Sequence, residues 1–534
     1  MQDKPESKEI KTTRHTIKTI AALIILFVGV WAIGHFVTAG GNLVSQARRI
    51  TAIMKLIQDD YVDAPDLSRL GEGAIEGMLK RLDPHSAYIP VKRQKEISER
   101  DVGEFEGIGI SFVIQNELIT VISPIIGTPA ERMGIRSGDR IIEIEGVSAL
   151  GITNEEVFKK LRGPKGTTVN VKIAREGAAE PLDFAIVRAK IPIYSVWASF
   201  MLDDSTGYIG LSQFMATSTK ELDSALDKLE AQGMTRLIFD LRGNSGGRLS
   251  QAVSITDRFI PGNHTIVSRR GRKSDNDTYF TSSDSVTHMG FSLITLINNG
   301  SASASEIVAG AIQDLDRGLI VGTNSFGKGL VQFPYQLRDG SVIRLSTAHW
   351  YTPAGRLVQR PYDKGRGEYY AVAYRDPDSL AVGEEREVFK TKGGRYVYSS
   401  SGIAPDVIVE PGTYTVGTAR MIAGRILFAF AQQYVTENGL TDNIDFSDFQ
   451  NNFDFTAKEL DGLIELSNEK EIAVTAQIIE KDFDFLNRQI KAEIATLVWN
   501  EREKYFIIRT AGDNVIQKAL EVFDQAREVA SVWQ

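Results

Sequence analysis

The stretch from Leu293 to Gln332 constrains this chain more tightly than any other. It begins with Leu293-Ile294-Thr295-Leu296-Ile297, an apolar run as long as one buried strand, closed by Asn298-Asn299-Gly300. The small-residue segment Ser301-Ala302-Ser303-Ala304-Ser305-Glu306 follows, and Ile307, Val308, Ala311, Ile312 and Leu315 then recur at helical spacing. The serines therefore sit where a strand turns into a helix. Such a junction aims backbone N–H groups and the positive end of a helix dipole at whatever lies in front, which suits a developing oxyanion. Gly318-Leu319-Ile320-Val321-Gly322 reads as a second short buried strand. It leads to Phe326-Gly327-Lys328-Gly329-Leu330-Val331-Gln332, a lysine held between two glycines.

A serine hydroxyl is a weak nucleophile until a base takes its proton, and a lysine serves as that base when desolvation lowers its pKa to roughly 7–8. Glycines on both sides of Lys328 allow its backbone to pack into a cramped site. Taken locally, two plainer readings stay open: a well-capped, tightly packed helix start, and a turn carrying a solvated lysine.

Gly300-Ser301-Ala302-Ser303-Ala304-Ser305-Glu306 with Gln313-Asp314, then Phe326 to Gln332, resembles the signature of the C-terminal processing (tail-specific) peptidases. These are serine peptidases with a Ser/Lys dyad on a crotonase-like core. The resemblance implies that Ser303 is the nucleophile and Lys328, 25 positions on (328 − 303 = 25), the base. Gln332 then orients the lysine, and Ser301 and Ser305 take structural positions. Asp314 matches an acidic family position near the site, but a salt bridge on the helix face is the reading its position favours.

From Ile20 to Val37 the chain runs 18 residues without Lys, Arg, Asp or Glu, about 27 Å as a helix and close to the hydrocarbon thickness of a bilayer. Lys8, Lys11, Arg14 and Lys18 precede it, so the positive-inside rule puts the N-terminus in the cytoplasm and the bulk of the chain outside. A cleaved signal peptide ending near Ala39 is the competing reading, but the run exceeds the usual h-region and favours an uncleaved anchor. The formal charge of −8 and the lack of a basic stripe exclude a nucleic-acid partner. Absence of cysteine removes disulfides, thiol nucleophiles and thiolate metal sites. With 42% hydrophobic and 24% charged residues the chain is ordinary globular material.

Between 46 and 102, Ile50, Ile53, Met54 and Ile57, then Leu70, Ala74, Ile75, Met78 and Leu79, predict two or three helices. Ala74 to Leu79 and Leu82-Asp83-Pro84-His85-Ser86-Ala87-Tyr88 again resemble the family, where this region frames the core and often helps to dimerise it. His85 reads as a hydrogen-bonded residue of a Pro-closed turn. From Gly103 the pattern becomes strand-like, and Gly107-Ile108-Gly109-Ile110, Thr128 to Ile135 and Ser137 to Gly146 look like a PDZ domain. In that fold an extended peptide adds to an exposed sheet edge while successive N–H groups capture its carboxylate. Gly107, Ile108, Gly109 and Ile110 are the candidates for that loop, with the helix near Glu155 to Leu161 closing the side-chain pocket.

A second α/β unit starts near Lys190. Leu237 to Leu241 is a buried run that breaks at Arg242-Gly243-Asn244-Ser245-Gly246-Gly247-Arg248 before an apolar helix. A phosphate cradle is excluded, since neither the P-loop lysine nor the Rossmann spacing is present. The phrase matches Asp-Leu-Arg-x-Asn-x-Gly-Gly of the same peptidases, which implies an oxyanion hole from the N–H of Gly246 or Gly247 with that of Ala304. Gly365 to Glu385 reads as a polar inserted loop region. Arg420 to Tyr434 and Val515 to Val529 carry helical apolar stripes, core or subunit contacts, where family resemblance fades.

The expectation is an α/β protein: 1–45 a cytoplasmic tail and transmembrane anchor, 46–102 helical, 103–188 the PDZ domain, 189–413 the crotonase-like peptidase core, 414–534 helical. It is read as a single-pass inner-membrane serine endopeptidase, its catalytic part periplasmic, cutting proteins near tails captured by the PDZ domain. No metal or cofactor is required. A homodimer and an adaptor or regulator are further expectations, and the alternative is a non-enzymatic PDZ scaffold with a silent core.

Overall fold

The computed structural model describes residues 41–115, 117–175, 177–272, 277–284, 288–372, 387–399 and 401–533. The expected membrane anchor at 20–37 lies outside them, and no helix among the described residues is long and apolar enough to cross a membrane. Among the described residues, 41–82 form one compact unit and those from Asp83 onward another. The first contains the helices Gly41–Asp60 and Leu67–Leu79. Asp66 starts the second helix by accepting hydrogen bonds from the N–H groups of Ser68 (2.9 Å) and Arg69 (3.2 Å).

The peptidase core is a six-stranded sheet of Val196–Met201, Thr206–Leu211, Arg236–Asp240, Ser292–Ile297, Gly318–Gly322 and Val407–Ile408, in that spatial order. The first pair is antiparallel and the rest are parallel. Parallel strands need helical crossovers that cover the faces, which is why Leu237-Ile238-Phe239 and Leu293-Ile294 are apolar without alternation. On one face Leu222, Leu226, Ile255, Ile307 and Ile312, from the helices Ser218–Ala231, Leu249–Asp257 and Ala304–Asp314, pack against Phe239, Leu293 and Ile320. On the other face Val515, Ile516, Ala519 and Phe523 meet Tyr208, Ile238, Ile294 and Val321. The apolar stripe at 515–529 is therefore the core's own cover, broken at Val522 into the helices Asn514–Glu521 and Phe523–Val529. The predicted helix at 420–434 is likewise two, Val416–Ala423 and Ile426–Glu437, with Arg425 left-handed between them at φ 58°.

The loop that carries the lysine leads into a second, antiparallel sheet. Val342–Tyr351 pairs with Leu330–Gln336, with Thr265–Gly271 and with Ala87–Ile89. That last strand adds to the two or three helices expected for 46–102: Tyr88-Ile89 suits an extended edge, and a third helix, Val91–Val102, starts directly after it with Pro90 at its N-cap. The PDZ domain has the strand order Ile110–Gln115, Leu118–Pro124, Arg140–Ile144, Thr168–Ala174, Leu182–Val187 around its own core of Ile119, Val121, Ile141, Val157 and Ile173. Its entry and exit strands, Glu104–Gly107 and Ala189–Pro192, pair with each other, so the domain stands on a two-stranded stalk. Most of 416–508 forms a further helical body around Phe430, Leu463, Leu486, Ile490 and Ile494.

Because Phe523 is buried against the sheet, Phe523→Ala should destabilise the peptidase core by about 3–5 kcal/mol. A urea titration followed by near-UV circular dichroism reads that loss; a change under about 1 kcal/mol would place this helix outside the core.

Candidate active site

Two turns meet at the ends of the central strands. Asn298 Oδ1 accepts hydrogen bonds from the N–H groups of Gly243 (2.8 Å) and Gly300 (3.0 Å). A side chain on Gly300 would lie 2.9 Å from Gly243 Cα, so the two turns touch through glycine backbone. Ser301 Oγ donates to Leu241 O (2.8 Å) and Ser305 Oγ to Asn244 O (2.7 Å). Both flanking hydroxyls are thereby spent on the neighbouring turn. Ser303 stands between them at the helix start with φ 57° and ψ −110°, a positive-φ conformation outside the favoured regions that costs a serine roughly 1–3 kcal/mol and has to be held by its surroundings.

Glu306 holds it. This side chain is fully buried, one turn into the helix, and its carboxylate accepts from Ser303 N–H (2.7 Å), Gly327 N–H (2.6 Å), Lys328 N–H (2.9 Å) and Ser325 Oγ (2.6 Å). Burial pushes its pKa up, against the pull of those four donors. Four donors with no competing acceptor suit the ionised form. One carboxylate thus ties the main chain of the candidate nucleophile to that of the candidate base.

Burial, assisted by the charge of Arg344, holds the Lys328 ammonium down at about 8, while Glu306 and Asp83 pull the other way. About one amine in ten is then neutral at pH 7. Gly329 donates its N–H to Gln359 Oε1 (2.8 Å), and a side chain there would collide with the Gln359 backbone at 2.8 Å, which accounts for the glycine after the lysine. Gly327 adopts φ 88°. Among the described residues the hydrogen-bond partner of Lys328 Nζ is Gln332 Oε1, at 3.0 Å, and no bond links it to Ser303. Gln332 Nε2 donates in turn to His85 O (2.7 Å).

Gly246 packs against the nucleophile: a side chain on it would lie 2.9 Å from Ser303 Cβ. Its own N–H is committed to Asn244 Oδ1 (2.9 Å). The N–H groups of Gly247 and Ala304 have no acceptor among the described residues, so of the two glycines singled out in the sequence it is Gly247 whose donor is free. Asp314 is a buried ion-pair partner of Arg356 and also accepts from Ala354 N–H (2.9 Å), the salt-bridge reading of that position. In the PDZ domain Gly107 ends the stalk strand and Ile108 is buried. Gly109, at φ 88°, has no room for a side chain because Thr128 would lie 2.3 Å away. Ile110 begins the sheet's edge strand, and Phe112 on that strand meets Phe158 of the helix Asn154–Leu161 edge-on at 5.5 Å.

The functional roles of Glu306 and of the His85 carbonyl escape sequence reasoning. For Glu306 a signal existed: Ser303-Ala304-Ser305-Glu306 has the S-x-x-E spacing of a capping box, and the Glu306 carboxylate does accept from Ser303 N–H.

A parallel α/β core with a strained serine at a helix start, a desolvated lysine fastened to it, and an attached PDZ domain define a PDZ-bearing serine endopeptidase. Residues 205–363 match peptidase family S41 and 120–175 the PDZ domain family. Residues 36–92 match the activating protease CtpB N-terminal domain, and 418–500 a family of unknown function, DUF8443. The chain is 41% identical over 322 residues to the carboxy-terminal-processing protease of Bartonella bacilliformis, covering 60% of this chain and 74% of that one. It is 35% identical over 339 residues to the carboxy-terminal processing protease CtpB of Bacillus subtilis, covering 63% and 69%. A solved photosystem II D1 C-terminal processing protease aligns with TM-score 0.35 and 23% identity over 68% of this chain and 92% of its own. The chain belongs to the carboxy-terminal processing proteases of peptidase family S41 and is a serine endopeptidase.

A buried cation whose pKa is forced down costs the folded state stability at neutral pH. Lys328→Met should therefore raise the unfolding free energy at pH 7 by about 1–3 kcal/mol, the gain shrinking towards pH 10 as the parent lysine loses its proton. Thermal melts across that range check it, and a less stable variant at pH 7 would show the amine to be hydrated.

Proposed function

We propose that this chain is a membrane-anchored, extracytoplasmic processing peptidase that cuts proteins near their C-termini through a Ser303/Lys328 dyad on a crotonase-like core. Neutral Lys328 takes the proton of Ser303 Oγ as the oxygen attacks the scissile carbonyl carbon. The tetrahedral oxyanion is received by the free N–H groups of Gly247 and Ala304. As the intermediate collapses, the C–N bond breaks and the Lys328 ammonium gives its proton to the leaving amine, which departs as the new N-terminus. The acyl-enzyme remains on Ser303. Lys328, neutral again, takes a proton from a water that attacks the ester carbonyl. Collapse of the second intermediate breaks the ester bond, and the proton returns to Ser303. Gln332 positions the amine throughout. No metal or cofactor takes part.

Substrate tails add as a strand beside Ile110–Gln115, their carboxylates received by the loop Gly107-Ile108-Gly109-Ile110 and their last side chain by the groove beside Phe158. The apolar run at 20–37 anchors the chain in the inner membrane, leaving the peptidase on the periplasmic side. Dimerisation through the N-terminal helices and an adaptor or regulator belong to the same reading. The observation that carries the mechanism is the Glu306 carboxylate, shared between the backbones of Ser303 and of a lysine whose pKa burial lowers to about 8.

Digestion of an unstructured protein with an apolar C-terminus tests the dyad. Ser303→Ala and Lys328→Ala should each abolish cleavage while leaving tail binding intact, and unchanged cleavage by the lysine variant would falsify it. Since the base must be neutral and its pKa is depressed, the rate should fall as pH drops through about 8, roughly tenfold per unit below it. Undiminished turnover at pH 6 would exclude Lys328 as the base.

A further inference from the structure

Gln332 can serve Lys328 only if its amide points one way. Its Nε2 end faces the His85 carbonyl, which accepts and cannot donate, so the Oε1 end is left to receive the lysine's proton. The direction of the amide is therefore decided by where the His85 carbonyl stands, and three separate anchors hold the turn Asp83-Pro84-His85-Ser86 that carries it. From within, the Asp83 carboxylate accepts from His85 N–H (2.8 Å), Ser86 N–H (2.8 Å) and Ser86 Oγ (2.5 Å). From the antiparallel sheet, Ser346 donates its hydroxyl to Asp83 (3.0 Å) and its N–H to Ser86 Oγ (3.1 Å). From outside comes the helix Arg366–Val372, in the stretch whose sequence reads as a polar inserted loop.

That helix grips the turn at three points. Arg366 and Tyr370 both donate to Pro84 O, Tyr370 at 3.2 Å, and the buried Tyr369 hydroxyl lies 2.8 Å from His85 Nε2. Tyr369 also reaches the lysine's own loop. Its hydroxyl is 3.5 Å from Gly327 O and 3.4 Å from Gln359 Nε2, and Gln359 Oε1 accepts from Gly329 N–H. Phe326 completes the packing, edge-on to Tyr369 at 5.6 Å and to His85 at 6.3 Å. Burial and the charge of Lys328 hold the imidazole down at about 4, so His85 is neutral at neutral pH and only a weak base.

We propose that Tyr369 is a positioning residue for the catalytic base: by holding the His85 turn and the Gly327–Gly329 loop together it fixes the Gln332 amide, and through it the Lys328 amine. The proposal rests on the Ser303/Lys328 reading. Without the contacts of the Arg366–Val372 helix to the turn, nucleophile and oxyanion donors would stay in place and the base would be misaimed.

The test uses the full chain and measures kcat and KM from pH 6 to 10 for Tyr369→Phe, with Ser303→Ala and Lys328→Ala in parallel. Arg344, Glu306, Asp83 and His85, the ionisable groups around Lys328, are unchanged in the tyrosine variant. Loss of the hydroxyl should lower kcat about ten- to a hundredfold, as misplacement of a catalytic group does, with KM within about twofold of the parent. The acid limb should move to higher pH, because a loosened turn admits water to the amine. Arg366→Gln, which loosens the same turn at Pro84, should show the same split and serves if Tyr369→Phe does not fold. Parent-like kinetics and pH profile in both variants, beside inactive Ser303→Ala and Lys328→Ala, would overturn the proposal and leave the dyad standing. So would a uniform loss at every pH that tracks a lowered melting temperature. Cleavage by Lys328→Ala would remove both.

Discussion

Glu306 places a negative charge where no water reaches it and surrounds it with four donors from two parts of the chain. A buried carboxylate tolerates this position only while those donors stay, so the helix start at Ser303 and the loop from Ser325 to Lys328 cannot separate without exposing an unpaired charge. The strained serine depends on the same carboxylate through its N–H. Geometry at the site is therefore set by main-chain hydrogen bonds to one side chain, while the Ser303 hydroxyl and the Lys328 amine remain uncommitted to each other.

The lysine's chemistry is a consequence of where that clamp puts it. Between Gly327 and Gly329 the backbone is drawn against Gln359 and Arg360, Trp350 Nε1 donates to the Lys328 carbonyl (3.0 Å), and the lysine side chain is left half-buried among its neighbours. Desolvation makes the neutral form of the lysine accessible, the form in which histidine already serves as the base in other serine peptidases. Glu306 would cancel the effect if it met the amine directly, but it meets the amide nitrogen of Lys328, and Arg344 offsets its charge. In the proposed arrangement the Asp83 turn, the Gln332 amide and the helix at Arg366 set the direction of the amine, and by keeping water from it they help to hold its pKa down.

Much of this was legible in the residues. Leu237 to Leu241 and Leu293 to Ile297 read as buried strands because helices cover both faces, and a run without alternation has few other uses. The PDZ domain announced itself through glycine placement that Thr128 and the stalk explain. Choosing Ser303 over Ser301 and Ser305 lay beyond local sequence, since all three share one small-residue context; the difference lies in Leu241 O and Asn244 O, which come from a turn some sixty residues away. The strand Ala87–Ile89 was hidden because its partner is Val342–Arg344. The helix at Arg366 was hidden because its tyrosines face a turn and not an apolar stripe. The stripe at 515–529 showed a face but not what it covers.

The central claim is that one buried carboxylate holds nucleophile and base in register. Intact-protein mass spectrometry after treatment with a serine-directed fluorophosphonate at pH 8.5, comparing the parent with Glu306→Gln and with Ser303→Ala, tests it most directly. An amide can accept at one atom only, so two of the four donors lose their partner. The parent should gain one adduct at Ser303, and Ser303→Ala should gain none. Glu306→Gln should stay folded enough to bind a peptide tail through its PDZ domain yet label at least about tenfold more slowly. Labelling of Glu306→Gln at the parent's rate would contradict the account, because Ser303 would then be aligned and activated without the clamp.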